Sequence, residues 1–103
     1  MVSVSWQGFT HRNRQVIINE IKDIILRSEG FLINHQMYSD LAINFIIEID
    51  VKYLSELKGK LDKIVPTEGK IPIEEGSNCR LSLTISFAKG SGDLKHIIAD
   101  VPG

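Results

Sequence analysis

The stretch Arg80-Leu81-Ser82-Leu83-Thr84-Ile85-Ser86-Phe87 alternates polar and apolar side chains without a break. A period of two fits a β-strand with one buried and one open face, and a helix cannot segregate such a pattern. A fold for this chain must therefore contain a sheet covered on one side. Two other segments agree. Val2, Val4 and Trp6 alternate with Ser3, Ser5 and Gln7 until Gly8 breaks the pattern, and Leu41, Ile43, Phe45, Ile47 and Ile49 share one face of a second strand. Residues 31–38 alternate more loosely, with Phe31, Ile33, His35 and Met37 on one side and Ser39-Asp40 as the turn that follows.

Two amphipathic helices supply the cover. Val16, Ile17, Ile21, Ile24 and Ile25 recur at helical spacing, with Thr10 or Asn13 placed as N-cap and Gly30 suited to the left-handed position past the end. Leu54, Leu57, Leu61 and Ile64 repeat the pattern; Asp50 caps this helix, Pro66 ends it, and Gly59 within it points to close packing. Residues 67–78 form a polar connection, expected to be a functional loop or to carry a short edge segment at Ile71 and Ile73, with Glu74 and Glu75 at a solvated tip. A turn at residues 89–93 leads to a final strand over residues 94–101. A chain of 103 residues holds one domain, residues 1–103.

The order β-α-β-β-α-β-β reads as an α+β fold of the ferredoxin-like, split βαβ kind, an antiparallel sheet with two helices on one face. The helices cover Val4, Phe45, Ile47, Leu83 and Ile85. The open face carries Ser3, Ser5, Asn44, Glu48, Arg80, Ser82, Thr84 and Ser86, and no aromatic. RNA-recognition domains of this topology stack bases on open-face aromatics, and a phosphate-led binder is more basic than a net charge of −1. Nucleic acid is therefore not expected as a partner. Cys79 is the only cysteine, so no intramolecular disulfide and no cysteine-only zinc site can form. His11, His35 and His96 lack metal-ligand spacing, and neither metal nor cofactor is expected. Trp6 reads as a core side chain, His35 as a partly buried structural histidine and Cys79 as a small core or edge residue. No apolar run spans a bilayer and no export signal is legible, so the expectation is a cytoplasmic protein without membrane contact.

The candidate site is the segment Gln7-Gly8-Phe9-Thr10-His11-Arg12-Asn13-Arg14, which joins the first strand to the first helix. Cations at a helix start oppose the macrodipole, and a broken local rule often marks function. Backbone N–H groups, the glycine and two guanidinium forks suit an anion, with Gly8, His11, Arg12, Arg14 and Asn34 as ligand-binding residues. The competing reading has both arginines solvated or paired, with Glu20 or Asp40 as partners.

Two family resemblances bear on function. The overall order resembles the ACT-like regulatory domains, which share a βαββαβ core. That resemblance implies a dimeric module binding a small ligand near the first strand-helix loop, although Gly8-Phe9-Thr10-His11-Arg12 lacks the aspartate of the family's turn. Gln7-Gly8-Phe9-Thr10-His11-Arg12 is similar to the first-loop motif of acylphosphatases, and Gly30-Phe31-Leu32-Ile33-Asn34 to their second motif. This likeness implies hydrolysis of acyl phosphates, with Arg12 holding the phosphoryl group and Asn34 orienting the attacking water. It departs from the family at Phe9, at His11, and in the longer separation from Arg12 to Asn34. The expectation is a small ligand-binding or regulatory module with an anion pocket, working as a homodimer and more plausibly a binder than an enzyme. The alternatives are an acylphosphatase-like hydrolase and a protein–protein interaction domain.

Overall fold

The computed structural model describes residues 1–73 and 76–89. The expected tip at Glu74 and Glu75, the final strand at residues 94–101 and His96 lie outside the described residues. The described chain runs β1 (Val2–Thr10), α1 (Arg14–Arg27), β2 (Phe31–Ser39), β3 (Ala42–Asp50), a 3-10 turn (Val51–Tyr53), α2 (Leu54–Asp62), β4 (Thr67–Glu68) and β5 (Asn78–Phe87). The five strands form one sheet in the order β2-β3-β5-β1-β4.

The fold is α+β, but two sequence expectations about the sheet change. The sheet is mixed, because β1 runs parallel to β5 along its whole length, from Val2 beside Cys79 to Thr10 beside Phe87. The strand order, with this parallel pair, does not establish the ferredoxin-like arrangement. The edge segment expected at Ile71 and Ile73 falls instead at β4, which pairs with Gln7 and Gly8 of β1.

One core lies between the helices and one face of the sheet. Ile17, Ile21 and Ile25 of α1, Leu54, Leu57 and Leu61 of α2, and Trp6, Phe45, Ile47, Leu81, Leu83 and Ile85 of the strands form a single buried cluster. The alternation read in β3 and β5 is thus the inward face of the sheet. On the open face Ser3, Arg80 and Glu48 lie in one row, and Gln7, Thr84 and Asn44 in another. Asn44 is buried there because its amide donates to Ser82 Oγ at 2.9 Å and Thr84 Oγ1 at 3.0 Å.

Local devices follow the sequence closely. The Asn13 side chain accepts from Val16 N at 3.0 Å and caps α1, and Asp50 Oδ1 accepts from Lys52 N at 3.0 Å at the start of the 3-10 turn. The β2–β3 turn falls one residue later than expected, at Asp40 and Leu41. Three glycines depart from their expected roles. Gly8 does not end β1, which continues to Thr10. A Cβ at Gly8 would stand 2.9 Å from Val65 Cγ1 and 3.1 Å from Pro66 O, so the glycine lets the α2–β4 connection lie against the strand. Gly30 has no left-handed backbone; a Cβ there would approach Ile49, Glu48 O and Ile47 at 3.2–3.3 Å, so it permits close approach to β3. Ser28 instead closes α1, its hydroxyl donating to Ile25 O at 2.7 Å and accepting from Gly30 N at 3.2 Å.

Gly59 does not mark close packing, since nothing stands within 4 Å of a Cβ built there. A helix interior with open space favours alanine over glycine by about 0.5–1 kcal/mol. Gly59→Ala is expected to raise the urea midpoint of unfolding with no change in slope. An unchanged or lower midpoint would contradict the open environment.

Candidate functional site

The sequence-predicted residues do not gather into one pocket. Arg12 Nη2 pairs with Glu20 Oε2 at 2.8 Å, and Arg12 N donates to Thr10 Oγ1 at 3.1 Å. His11 sets its ring edge-on to Phe9, with centroids 5.1 Å apart. Arg14 Nη1 donates to the carbonyl of Asp40 at 2.7 Å, tying the start of α1 to the β2–β3 turn. The cations that oppose the helix dipole thus have local partners. The paired reading of the arginines is the one observed, with Glu20 on Arg12 and the Asp40 main chain, rather than its carboxylate, on Arg14.

Asn34 stands elsewhere. It lies opposite Ile46, which lies opposite Ser82, which lies beside Ser5. Three strand spacings, about 14 Å, separate β2 from β1, and Arg12 lies beyond the far end of β1. The structure does not bring Asn34 to Arg12, so these two residues do not flank one phosphoryl group.

Arg14 does belong to a different concavity. A cleft of about 510 Å³ runs between α1 and β2, lined by Arg14, Ile18, Lys22, His35, Met37 and Tyr38, among others. Arg14, Ile18 and Lys22 recur at i, i+4 and i+8, which places them along one stripe of the helix. On the strand side, His35 and Met37 lie opposite Phe45 and Ile43, on the helix-covered face. The floor is apolar: Ile18 and Ile43 are both buried. The walls carry the cations Arg14 and Lys22 and the imidazole of His35, against one carboxylate, that of Asp40. None of the four ion pairs among the described residues, which involve Arg12, Arg27, Lys58 and Arg80, includes Lys22. Its volume falls within the range of small-molecule clefts.

Lys22 and the part played by His35 escaped the sequence reading. The helical repeat from Arg14 to Lys22 was there to find. The repeat alone does not show that this stripe meets His35 and Met37 of β2.

Two further concavities among the described residues flank β1. One, about 530 Å³, lies between Val2–Ser5 and residues 69–73; the other, about 390 Å³, includes Gln7, Phe9, Glu68 and Ser86. Phe9 is half exposed on the open face beside Ser86, and Phe31 is exposed on the same face opposite Glu48. The open face therefore does bear aromatics, contrary to expectation, because β1 passes through Gly8 and β2 carries bulges that reset its alternation.

Ion pairing elsewhere is structural. Asp62 Oδ1 accepts from Thr67 Oγ1 at 2.6 Å and Thr67 N at 2.8 Å, and Lys58 Nζ joins Asp62 Oδ2 at 3.0 Å to Thr67 O at 2.7 Å. Burial pushes the Asp62 carboxyl up, but these hydrogen bonds outweigh it and hold the group below the usual aspartate value. Cys79 is fully buried, which raises its thiol pKa and removes it from solution chemistry. Among the described residues no three His, Cys, Asp or Glu side chains stand close enough to hold a metal ion, and no helix is long and apolar enough to cross a membrane. No protein-family model, curated protein or solved structure matches the chain.

Proposed function

We propose that this protein is a small regulatory or ligand-binding module whose ligand carries an anionic group and an apolar body, held in the cleft between α1 and β2. The observation that supports it is Lys22, with no ion pair among the described residues, beside Arg14 and His35 above the apolar floor of Ile18 and Ile43. A cation in that setting gains most from an incoming anion, because an apolar floor weakens competition from water. Arg14 can offer its remaining N–H groups while keeping its bond to Asp40 O. This reading keeps the ACT-like comparison, and with it the ferredoxin-like kinship, as the nearest functional analogy: a ligand held close to the first strand-helix connection of a small α+β domain. It places the anion on the α1 stripe rather than at Arg12.

The test is a thermal-shift titration with inorganic phosphate, acetyl phosphate, phenyl phosphate and a panel of acidic and aromatic amino acids. A ligand that binds only the native state at a hundred times its Kd adds about 2.7 kcal/mol. That corresponds to a rise of about 10 °C or more in Tm for a domain of this size. At least one anionic probe is expected to raise the Tm of the wild type. The same probe should leave Lys22→Gln unmoved and should still raise Arg12→Ala, whose arginine is held by Glu20. Equal response of all three proteins, or no response of the wild type, would overturn the assignment.

A further inference from the structure

We infer that the outer edge of β2 is a pairing surface for a second copy of this chain, joined antiparallel about a two-fold axis normal to the sheet. This goes beyond the ligand reading and does not depend on it.

Among the described residues β2 is an edge strand, paired only with β3. Nine residues make it as long as β1 and β3, an edge of about 30 Å. Proteins usually blunt such an edge with charge, proline or shortness. The β2 sequence FLINHQMYS contains no Lys, Arg, Asp, Glu or Pro. Its apolar side chains are open to solvent: Phe31 is 73 % exposed, Ile33 52 % and Tyr38 62 %. Two bulges are present, one extra residue each at Ile33 and Tyr38, and between them residues 34–37 keep regular register with residues 46–43 of β3. The flat stretch lies in the middle of the strand, where a two-fold pairing needs it.

Three features select a second copy over another partner. An isologous contact sets each side chain against itself or a near neighbour, so charge on the strand would meet like charge. β2 has no Lys, Arg, Asp or Glu to repel. On its open face Asn34 and Gln36 carry amides, which both donate and accept and so can pair with their own copies. The opposite end of the sheet is β4, two residues long. A head-to-tail contact of β2 with β4 would rest on that short strand, which favours a closed pair over an open array. A two-fold axis normal to the sheet also keeps faces matched: Asn34 and Gln36 stay on the open side of both copies, and His35 and Met37 stay on the helix side of both.

The test uses the full chain. Sedimentation equilibrium at high micromolar concentration should find the wild type dimeric. Gln36→Lys and Gln36→Glu should each be monomeric and natively folded by circular dichroism, with a Tm lowered only by the lost association, because each brings like charges together near the axis. Mixed in equal amounts, the two should recover the dimer. If either variant lacks the native circular dichroism spectrum, Asn34→Lys and Asn34→Glu carry the same comparison. A monomeric wild type overturns the proposal. So do variants that stay dimeric alone, and a mixture that stays monomeric. Amide protection of residues 34–37 in a monomer would show the edge covered by the chain itself, and would overturn it too.

Discussion

Trp6→Ala is expected to cost about 3–5 kcal/mol, the range for emptying a buried aromatic site. Trp6 has no exposed surface and is among the largest fully buried side chains. It also makes a specific long-range bond: Nε1 donates at 2.8 Å to the carbonyl of Lys70, 64 residues away in sequence. That bond fixes the connection following β4 against β1. Trp6→Ala removes both the packing and the donor. Trp6→Phe removes the donor and part of the ring, so its cost should be clearly smaller. Denaturant unfolding separates them, with midpoints falling in the order wild type, Trp6→Phe, Trp6→Ala at similar slopes. A loss for Trp6→Ala of under about 1 kcal/mol would sit outside the range for a well-packed core position and would show that the site collapses freely.

Gly69→Ala is expected to be nearly as damaging, for steric reasons on both backbone and side chain. Its φ of +151° lies in a region that L-residues rarely adopt. A Cβ there would collide with Trp6 Cδ1 and stand 2.7 Å from Ser5 O, a backbone atom that cannot swing aside. Overpacking alone costs about 1–3 kcal/mol, and the backbone strain adds about 1–3 kcal/mol more. Because Gly69 and Trp6 touch, their effects should not add. Gly69→Ala placed on a Trp6→Ala background should cost less than on the wild type, since the indole it strikes is gone. Equal cost in both backgrounds would show that the backbone, not the indole contact, sets the penalty.

What the sequence disclosed was local. The alternation at Leu81, Leu83, Ile85 and Phe87, the isoleucine stripe of α1 and the leucine repeat of α2 each depend on residues a few positions apart, and each is found in the structure, whereas Asp50 caps the 3-10 turn before α2 and not α2 itself. What it concealed was nonlocal. Strand order and the parallel pairing of β1 with β5 are set by which faces meet after folding, and alternation reads the same in either direction. Glycines were the most misleading signals. Gly8, Gly30 and Gly59 look alike in sequence, yet the first two permit close approach and the third faces open space. The bulges at Ile33 and Tyr38 reversed part of the face assignment of β2: Phe31 turned to the open side, while His35 and Met37 stayed under the helix. The cleft escaped notice for a related reason. Arg14 and Lys22 are a helix stripe, but only its meeting with His35 and Met37 makes a concavity, and that meeting is tertiary.

The place of β5 in the sheet has a kinetic side. It is the last of the described strands in sequence and the middle one in space, lying between β3 and β1. On a ribosome, β1, the β2–β3 hairpin and both helices emerge first, with nothing yet to join β1 to β3. The inward side chains of Phe45 and Trp6 must then await Leu83, their shared neighbour in the finished sheet. Pairing partners so distant along the chain slow folding and prolong the exposure of apolar surface. Commitment to the native state therefore waits for β5, as an insertion into the centre of the sheet rather than an addition at its rim.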